Sequence, residues 1–311
     1  MDDSPLVSVI MNCYNGEEFL KEALDSVIAQ DYTNWEIIFW DNCSSDGSAG
    51  IVKFYDDPRI HYYRGEKHVL LGEARNFAIE KTKGDYIAFL DVDDLWLPNK
   101  LSVQVKILNE YPEVGLVHSN HIYFSKETEL VFNKKDKDEI VDAVSLIKHY
   151  DIGISSVLLK ANIIRENKIK FNINYNLIEE FDYFIRLLCF TKAYYSRLVL
   201  MKLRKHENNT TKVSDQWHFE YNNFIGNVKK DEYGYPGLRD HLHKIKLKAA
   251  TAEIFYWLNK HKSLQALKAV ILSIYLSPKF FVYIIPVCIG IDTYSSFRDN
   301  IYKAFGKMYP K

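Results

Sequence analysis

Three carboxylates lie within four residues of one another, at Asp91, Asp93 and Asp94, directly after the apolar run Tyr86–Leu90. Side chains of like charge at this spacing repel one another unless a cation or basic groups neutralise them. Magnesium and manganese ions take oxygen ligands and can bridge phosphates, so the pattern predicts a site for Mg²⁺ or Mn²⁺. The alternative is a solvated acidic turn in which one aspartate caps a helix that begins near Pro98.

Apolar runs of strand length alternate with segments of helical periodicity along the first hundred residues. The strands are predicted at 6–11, 35–40, 60–64 and 86–90. Helices are predicted after Asn15, which could cap the first of them, and over Ser48–Tyr55 and Gly72–Thr82. This β-α-β-α-β-α-β order predicts an α/β fold with a parallel sheet and helices on both of its faces.

Polar residues follow three of the four predicted strands. They are Asn12–Asn15 after the first strand, Asp41–Asp46 after the second and Asp91–Asp94 after the fourth. Ligands of open α/β sheets bind beyond the carboxyl ends of the strands. We therefore expect these three clusters to meet at one edge of the sheet and to form a binding site there.

Five segments of the chain, in the same order, resemble the motifs of glycosyltransferase family 2. The family motifs are S-V-I-x-P-x-Y-N, D-D-G-S-T-D-G, A-R-N, G-x-Y-I-x-F-L-D-x-D-D and E-D-x-x-x-x-x-R-L. The corresponding segments here are Ser8–Gly16, Asp41–Gly47, Ala74–Asn76, Gly84–Asp94 and Ile178–Leu187. The resemblance covers roughly residues 6–210 and implies a GT-A fold, with a Rossmann-like, mostly parallel sheet, in an inverting enzyme that uses a nucleotide sugar.

The sequence departs from the family pattern at four positions. Asn12 replaces the usual proline, Asn42 the second aspartate, Cys43 a glycine, and Glu180 the usual aspartate. None of these changes removes a functional group that the chemistry needs. Asn42 could alter the contacts made to the base or to the ribose.

Five residues are predicted to hold the donor nucleotide. Tyr14 offers an aromatic face on which a pyrimidine can stack, and Asp41 can accept the N3–H of uracil or thymine. By the resemblance, Asn15 belongs to the same donor site, Arg75 helps to hold the nucleotide and Asp91 lies near the ribose. Taken singly, Tyr14 could instead be a core tyrosine, Asp41 a helix-capping aspartate and Arg75 a surface arginine.

The resemblance also indicates a metal ligand and a general base. Asp93 would be the principal metal ligand and Asp94 a second ligand or an orienting group, and the ion would neutralise charge on the departing diphosphate. An inverting transfer is a single displacement, which needs one carboxylate to deprotonate the acceptor hydroxyl. The candidates are Glu179, Glu180 and Asp182, and the resemblance favours Glu180. In the alternative interpretation, Glu180 only favours a helix N-terminus through the helix dipole.

Five further residues are candidates for supporting roles. Arg186 could steady the acidic pair or the phosphates. By the resemblance, the segment with Arg204 and His206 can close over the diphosphate, so that one of the two contacts phosphate or metal; a surface loop is the alternative. Ser155 and Ser156 lie where family members often meet the acceptor.

The composition of the 311 residues excludes several classes of protein. Hydrophobic residues make up 47% of the chain and charged residues 26%, the balance of a folded globular protein, which excludes disordered and collagen-like chains. The 4 cysteines contain no CxxC pair, so neither a zinc site nor a disulfide framework is predicted. A reduced, cytoplasmic setting fits best, and the polar, acidic N-terminus predicts no secretory signal peptide.

Charge is distributed unevenly along the chain. Residues 1–225 carry 26 Lys and Arg against 35 Asp and Glu, whereas residues 226–311 carry 14 against 6. We predict a catalytic domain over 1–213 and a helical C-terminal region over 214–311. The apolar run Phe280–Ile291 is too short to span a bilayer, but the basic tail could dock peripherally on the anionic inner face of the cell membrane. The competing interpretation is that the run packs as core and the lysines are only solvated.

Together these features predict a cytoplasmic, metal-dependent, inverting glycosyltransferase. It would move a sugar from a UDP- or dTDP-sugar to a hydroxyl of a glycan acceptor, lipid-linked as in bacterial surface polysaccharide assembly. One alternative is a nucleotidyltransferase on a similar sheet, although its glycine-rich phosphate loop is missing. Another is a catalytically silent sugar-nucleotide-binding or scaffold protein, against which Asp93 and Glu180 argue. An NAD-dependent enzyme is disfavoured because no GxGxxG follows the first strand, and no nucleic-acid partner is predicted.

Overall fold

The computed structural model describes residues 4–206, apart from 126, 133–135 and 149, and residues 217–230, 237–259 and 263–279, apart from 275 and 278. The segment Phe280–Ile291, considered above for membrane contact, lies outside the described residues. The chain forms two compact units. The first comprises Met1–Ala143 and Asp151–Thr210, and the second comprises Val144–Tyr150 and Thr211–Lys311.

The first unit is built on one mixed sheet of ten strands. Its strands are β1 (Val7–Cys13), β2 (Trp35–Asp41), β3 (Ile60–Arg64), β4 (Tyr86–Phe89), β5 (Leu95–Trp96), β6 (Val114–Phe124), β7 (Glu129–Phe132), β8 (Glu139–Val141), β9 (Leu158–Lys160) and β10 (Lys192–Arg204). The order is β3-β2-β1-β4-β9-β6-β10-β5, with β7 on β6 and β8 on β10. Strands β1 to β4 pair in parallel, whereas β9 runs antiparallel to both β4 and β6. The predicted fold class and its first four strands are confirmed.

Helices flank this sheet, and three further α-helices lie in the described part of the C-terminal region. They are α1 (Glu17–Ile28), α2 (Ser48–Phe54), α3 (Leu71–Ile79), α4 (Lys100–Glu110), α5 (Ala143–Lys148), α6 (Ala161–Glu166), α7 (Glu179–Leu187), α8 (Trp217–Lys230), α9 (Leu242–Asn259) and α10 (Ser263–Ile274). The periodic apolar residues of α1 are buried with the β1 side chains in one core, because they share one face of the helix. They are Leu20, Ala23, Leu24 and Val27.

The expected capping role of Asn15 is wrong. Helix α1 begins at Glu17 after Gly16, and the backbone N–H of Glu17 donates to Asp46 Oδ2 at 3.0 Å rather than to Asn15. Asn15 instead has a φ of 53°, a left-handed conformation that asparagine tolerates better than most residues. Its side-chain oxygen accepts a hydrogen bond from the backbone N–H of Ser45 at 2.8 Å, so Asn15 joins the loops that follow β1 and β2.

The second unit contains α8, α9 and α10, which confirms a helical C-terminal region. Helices α9 and α10 pack through small and branched apolar residues: Ala250, Ile254, Ala266, Ala269 and Val270. On α10, Leu264, Ile271 and Leu272 are exposed, so this helix carries apolar side chains on its outer side as well. Among the residues that the structure describes, no helix is both long enough and apolar enough to cross a bilayer.

A close approach between backbone segments at Gly84 gives a test of the fold. A Cβ at Gly84 would lie 2.6 Å from the carbonyl oxygen of Leu6 and 2.7 Å from the backbone nitrogen of Ser8. Backbone atoms in a sheet cannot move aside, so Gly84→Ala should lower the free energy of unfolding by about 1–3 kcal/mol. Urea unfolding measures this change. Gly50→Ala is the matched control, because the added Cβ would have no heavy atom within 4 Å among the described residues outside its own helix. Equal stability of the two variants would contradict the steric explanation.

Candidate active site

The three aspartates predicted to bind a metal lie together after β4. One carboxylate oxygen from each of Asp91, Asp93 and Asp94 lies within 4.8 Å of the other two. Asp91 and Asp93 are partly exposed and Asp94 is buried. Grouped carboxylates need compensating positive charge, and oxygen ligands are those that Mg²⁺ and Mn²⁺ prefer. The residues present therefore fit a divalent cation.

The contacts of Asp94 orient its carboxylate. Its Oδ2 accepts a hydrogen bond from the hydroxyl of Ser155 at 2.7 Å, and its Oδ1 accepts one from the backbone N–H of Arg204 at 3.0 Å. Burial, together with the charges of Asp93 and Asp91, raises the pKa of Asp94 well above its usual range. Of the two predicted roles of Asp94, these contacts favour the orienting group over the metal ligand.

The end of β10 lies beside the aspartate loop. His206 Nε2 is 2.9 Å from Asp93 Oδ2, and Arg204 Nε donates a hydrogen bond to the backbone oxygen of Asp93 at 2.9 Å. Arg204 also forms an ion pair with Glu22 on α1 at 2.8 Å. The structure thus brings Arg204 and His206 to the aspartates, where a diphosphate or a metal ion would be bound.

Arg75, on α3, is buried and links the carboxylates of α7 to that of Asp91 in the loop after β4. Its Nη2 lies 3.1 Å from Glu180 Oε1 and 3.4 Å from Asp91 Oδ1, and its Nη1 lies 3.4 Å from Glu179 Oε1. The guanidinium therefore joins α7 to the loop after β4. Its burial does not support the direct contact with the nucleotide that the resemblance implied.

Among the three candidate bases, Glu180 is the most accessible. Its side chain is 28% exposed, against 9% for Glu179 and 0% for Asp182. Arg186 Nε donates to Asp182 Oδ2 at 3.0 Å, and its Nη2 donates to the backbone oxygen of Lys170 at 2.6 Å. Asp182 and Arg186 therefore form an internal ion pair that anchors α7, and Glu180 is the candidate base that solvent reaches best.

The surroundings of Glu180 suit proton transfer near neutral pH. Burial raises the pKa of Glu180 to about 7; Arg75 opposes the rise, and Glu179 and Asp91 add to it. A general base works best when its pKa lies close to the pH at which the reaction runs. Glu180 is then ionised in an appreciable fraction of molecules and still basic enough to accept a proton.

Tyr14 lies at the carboxyl end of β1 with about half of its side chain exposed. Its ring centroid is 4.0 Å from that of His68, which stands in the loop before α3. Asn42 holds this loop, since its amide group donates to the backbone oxygen of Val69 at 2.8 Å and accepts from the backbone N–H of the same residue at 3.2 Å. An exposed aromatic surface is thus present where stacking of a base was predicted.

Asp41 is fully buried, and its carboxylate is already bound by donors of the chain. It accepts hydrogen bonds from the backbone N–H of Ser44 at 2.6 Å, from the hydroxyl of Tyr62, and from Arg64 Nη1 at 2.9 Å. Contact between this carboxylate and a base N–H therefore requires the half-exposed Arg64 side chain to move aside.

The sequence interpretation missed Tyr62, Arg64 and His68. Tyr62 and Arg64 stand two residues apart at the end of β3, so they share one face of the strand. The parallel pairing places Asp41 directly opposite Arg64. The spacing of the two residues was a usable signal, but the register between strands was not available from the sequence.

The expectation that Ser155 and Ser156 meet the acceptor is wrong. Both lie in a single 3₁₀ turn, Ile154–Ser156, and they are only 2% and 1% exposed. The hydroxyl of Ser155 lies against the aspartate loop, and that of Ser156 donates to the backbone oxygen of Gly153 at 2.7 Å. Their surroundings are the interior of the protein.

Comparison with known proteins places this chain among enzymes of sugar transfer. The model of the family described as "Glycosyl transferase family 2" matches residues 8–175. A relative from Escherichia coli, named UDP-Glc:alpha-D-GlcNAc-diphosphoundecaprenol beta-1,3-glucosyltransferase WfgD, is 31% identical over 195 residues, which are 60% of this chain and 70% of the relative. The putative teichuronic acid biosynthesis glycosyltransferase TuaG of Bacillus subtilis is 41% identical over 108 residues, 34% of this chain and 43% of TuaG.

Solved structures of the same fold include two with bound nucleotide sugars. Staphylococcus aureus TarS (residues 1–349) in complex with UDP-GlcNAc matches with a TM-score of 0.68 and 17% identity, over 85% of this chain and 79% of that one. The mannosyltransferase PcManGT of Pyrobaculum calidifontis, in complex with GDP-Man and Mn²⁺, matches with a TM-score of 0.59 and 17% identity. The match covers 88% of this chain and 76% of that one. These likenesses confirm the GT-A fold.

The raised pKa of Glu180 predicts the pH dependence of catalysis. Only the ionised carboxylate accepts a proton, and the protonated form prevails below the pKa of about 7. We expect kcat/KM to fall about tenfold for each pH unit below that value. Glu180→Gln keeps the shape of the side chain but cannot accept the proton, so turnover should fall by about 10²–10⁴ while donor affinity is retained.

A pH series of initial rates with the unaltered chain and with Glu180→Gln measures both effects. If the residual activity of Glu180→Gln kept the same acidic limb, another group would be responsible for the titration. Full activity of Glu180→Gln would exclude Glu180 as the base, whereas a loss in Asp182→Asn alone would reflect the broken ion pair with Arg186.

Proposed function

We propose that this protein, which belongs to glycosyl transferase family 2, transfers a sugar with inversion from a UDP- or dTDP-sugar to a hydroxyl of a lipid-linked glycan. The observation that carries the proposal is the link made by Arg75. Through one buried guanidinium, an aspartate cluster suited to a divalent cation is joined to an accessible carboxylate of raised pKa. Leaving-group stabilisation and proton removal need these two groups close together.

The relatives support the substrate class. The name of the Escherichia coli enzyme gives UDP-glucose as donor and a diphosphoundecaprenol-linked sugar as acceptor. The name of the Bacillus subtilis relative gives teichuronic acid biosynthesis as its pathway. In this chain, the exposed ring of Tyr14 can stack on a nucleobase, and Asp41 would accept the N3–H of uracil or thymine once Arg64 moved aside, which supports UDP or dTDP. We infer a role in the assembly of bacterial surface polysaccharide.

The proposed mechanism is a single displacement. Glu180 accepts the proton of the acceptor hydroxyl while the oxygen of that hydroxyl forms a bond to the anomeric carbon. The bond from the anomeric carbon to the diphosphate breaks on the opposite side. When bound, Mg²⁺ or Mn²⁺ would supply positive charge that offsets the charge of the leaving diphosphate. Asp93 would be its principal ligand, with Asp91 and His206 beside it, and Asp94 keeps the loop oriented.

The role of Asp93 can be tested by comparing transfer with nucleotide binding. Asp93→Ala should abolish sugar transfer and weaken UDP binding in the presence of Mn²⁺, because the phosphates are held through the ion. In the presence of EDTA, UDP binding should be nearly the same in the variant and the unaltered chain. Calorimetric UDP titrations and a UDP-release assay measure these quantities.

Two outcomes would contradict the proposal. Full-rate transfer by the unaltered chain in excess EDTA would exclude the metal-dependent reaction. Binding of a UDP-sugar with Mn²⁺, but no transfer and no slow hydrolysis of that donor, would indicate the catalytically silent binding protein.

We further propose that the C-terminal region docks on the anionic inner surface of the cell membrane. Residues 226–311 carry 14 Lys and Arg against 6 Asp and Glu. Each basic residue near an anionic leaflet contributes about 1 kcal/mol, an attraction that salt weakens. Leu264, Ile271 and Leu272 add exposed apolar surface on α10. A peripheral position would bring the enzyme to a lipid-linked acceptor.

Membrane docking is tested with vesicles of neutral and of anionic lipid. The unaltered chain should co-sediment with the anionic vesicles only, and less so at high salt. The double variant Leu264→Glu and Leu272→Glu should lose this binding, because it places charge on the exposed side of α10. Phe54→Glu, at an exposed apolar position of the first unit, is the control. Absence of binding by the unaltered chain would show that the basic region is only solvated.

A further inference from the structure

A single turn beneath the aspartate loop is held by three buried side chains. The carbonyl groups of residues 155–157 each accept one side-chain hydrogen bond. Trp96 Nε1 donates to the first at 2.8 Å, Gln104 Nε2 to the second at 2.7 Å and Lys100 Nζ to the third at 3.2 Å. One turn of backbone is thus fixed at three successive positions.

Burying these donors costs desolvation free energy that a purely apolar packing would avoid. Lys100 and Gln104 are fully buried, and they hydrogen-bond each other at 2.7 Å. Lys100 Nζ also lies 4.1 Å from the ring centroid of Trp96. Apolar side chains of similar volume would fill this space without the desolvation of polar groups. The polar contacts therefore serve to hold residues 155–157 in one conformation.

The side chain that this turn presents to the aspartate loop is that of Ser155. Its hydroxyl accepts a hydrogen bond from the backbone N–H of Asp91 at 3.1 Å and donates one to Asp94 Oδ2 at 2.7 Å. One hydroxyl thereby holds both the backbone position of Asp91, at the start of the loop, and the carboxylate orientation of Asp94, at its end. The other oxygen of Asp94 accepts from the backbone N–H of Arg204, so the contact extends to the end of β10.

We propose that Ser155 is a positioning residue for the metal site. Its hydroxyl holds the loop 91–94 in the conformation that groups the carboxylates, although it contacts neither the ion nor the substrates itself. Groups behind metal ligands that fix their orientation usually change metal affinity about 10–100-fold when they are removed. The inference rests on the proposed function, because it assumes that the aspartates receive a divalent cation.

The test is Mn²⁺ binding by the full chain in the absence of nucleotide, followed by the electron paramagnetic resonance signal of free Mn²⁺. Ser155→Ala should weaken Mn²⁺ binding by about 10-fold or more. Ser156→Ala is the matched control, since its hydroxyl is equally buried and, among the residues that the structure describes, hydrogen-bonds to the backbone oxygen of Gly153 and not to the aspartate loop. We expect it to bind Mn²⁺ like the unaltered chain, with both variants showing similar thermal unfolding without metal. Should Ser155→Ala fail to fold, Ser155→Cys replaces it, because the thiol keeps the volume but bonds weakly.

The outcomes separate this inference from the proposed function. If the unaltered chain binds no Mn²⁺, the metal site and the role of Ser155 are both overturned. If the unaltered chain and the Ser155 variant bind Mn²⁺ equally tightly, only the role of Ser155 is overturned. An equal loss in Ser156→Ala would also overturn it, because the effect would then arise from general loosening of the turn.

Discussion

The buried guanidinium of Arg75 holds together three carboxylates that would otherwise repel one another. Glu179 and Glu180 reach it from α7, and Asp91 reaches it from the loop after β4. A buried charge that loses its partner is strongly destabilising. Without the guanidinium, these three carboxylates could not keep their positions. The relative position of the candidate base and the candidate metal ligands therefore depends on one side chain.

This arrangement also sets the electrostatic character of the site. A single guanidinium is shared among several carboxylates. At Glu180, burial therefore raises the pKa more than Arg75 lowers it, and the pKa is about 7. The same imbalance persists at Asp91, where partial burial and the charge of Asp93 raise the pKa despite the contact with Arg75. A site with too little internal positive charge suits both a basic carboxylate and a divalent cation. The two proposed catalytic functions thus follow from one property.

Support for the aspartate loop comes from elements that are far apart in the sequence. The turn with Ser155 leads into β9, which is inserted antiparallel between β4 and β6. That insertion places the hydroxyl of Ser155 under the loop after β4, and β10 brings Arg204 and His206 to the same loop. The loop is held by hydrogen bonds from both neighbouring segments, and this explains how closely spaced carboxylates can keep one geometry.

The sequence alone determined the features that repeat locally or follow from strand order. Apolar runs and helical periodicity specified β1 to β4, and parallel order implied that the loops with Tyr14, Asp41 and Asp93 share one edge. Pairing between distant polar groups was decided by the tertiary structure. Asp41 meets Arg64 only through the register of β2 and β3, and Ser155 faces the aspartates only through the insertion of β9. Hydrophobic patterning selects which face of an element is buried, but a hydrogen bond also needs its partner's position to within a few tenths of an ångström, and only the packed chain supplies that.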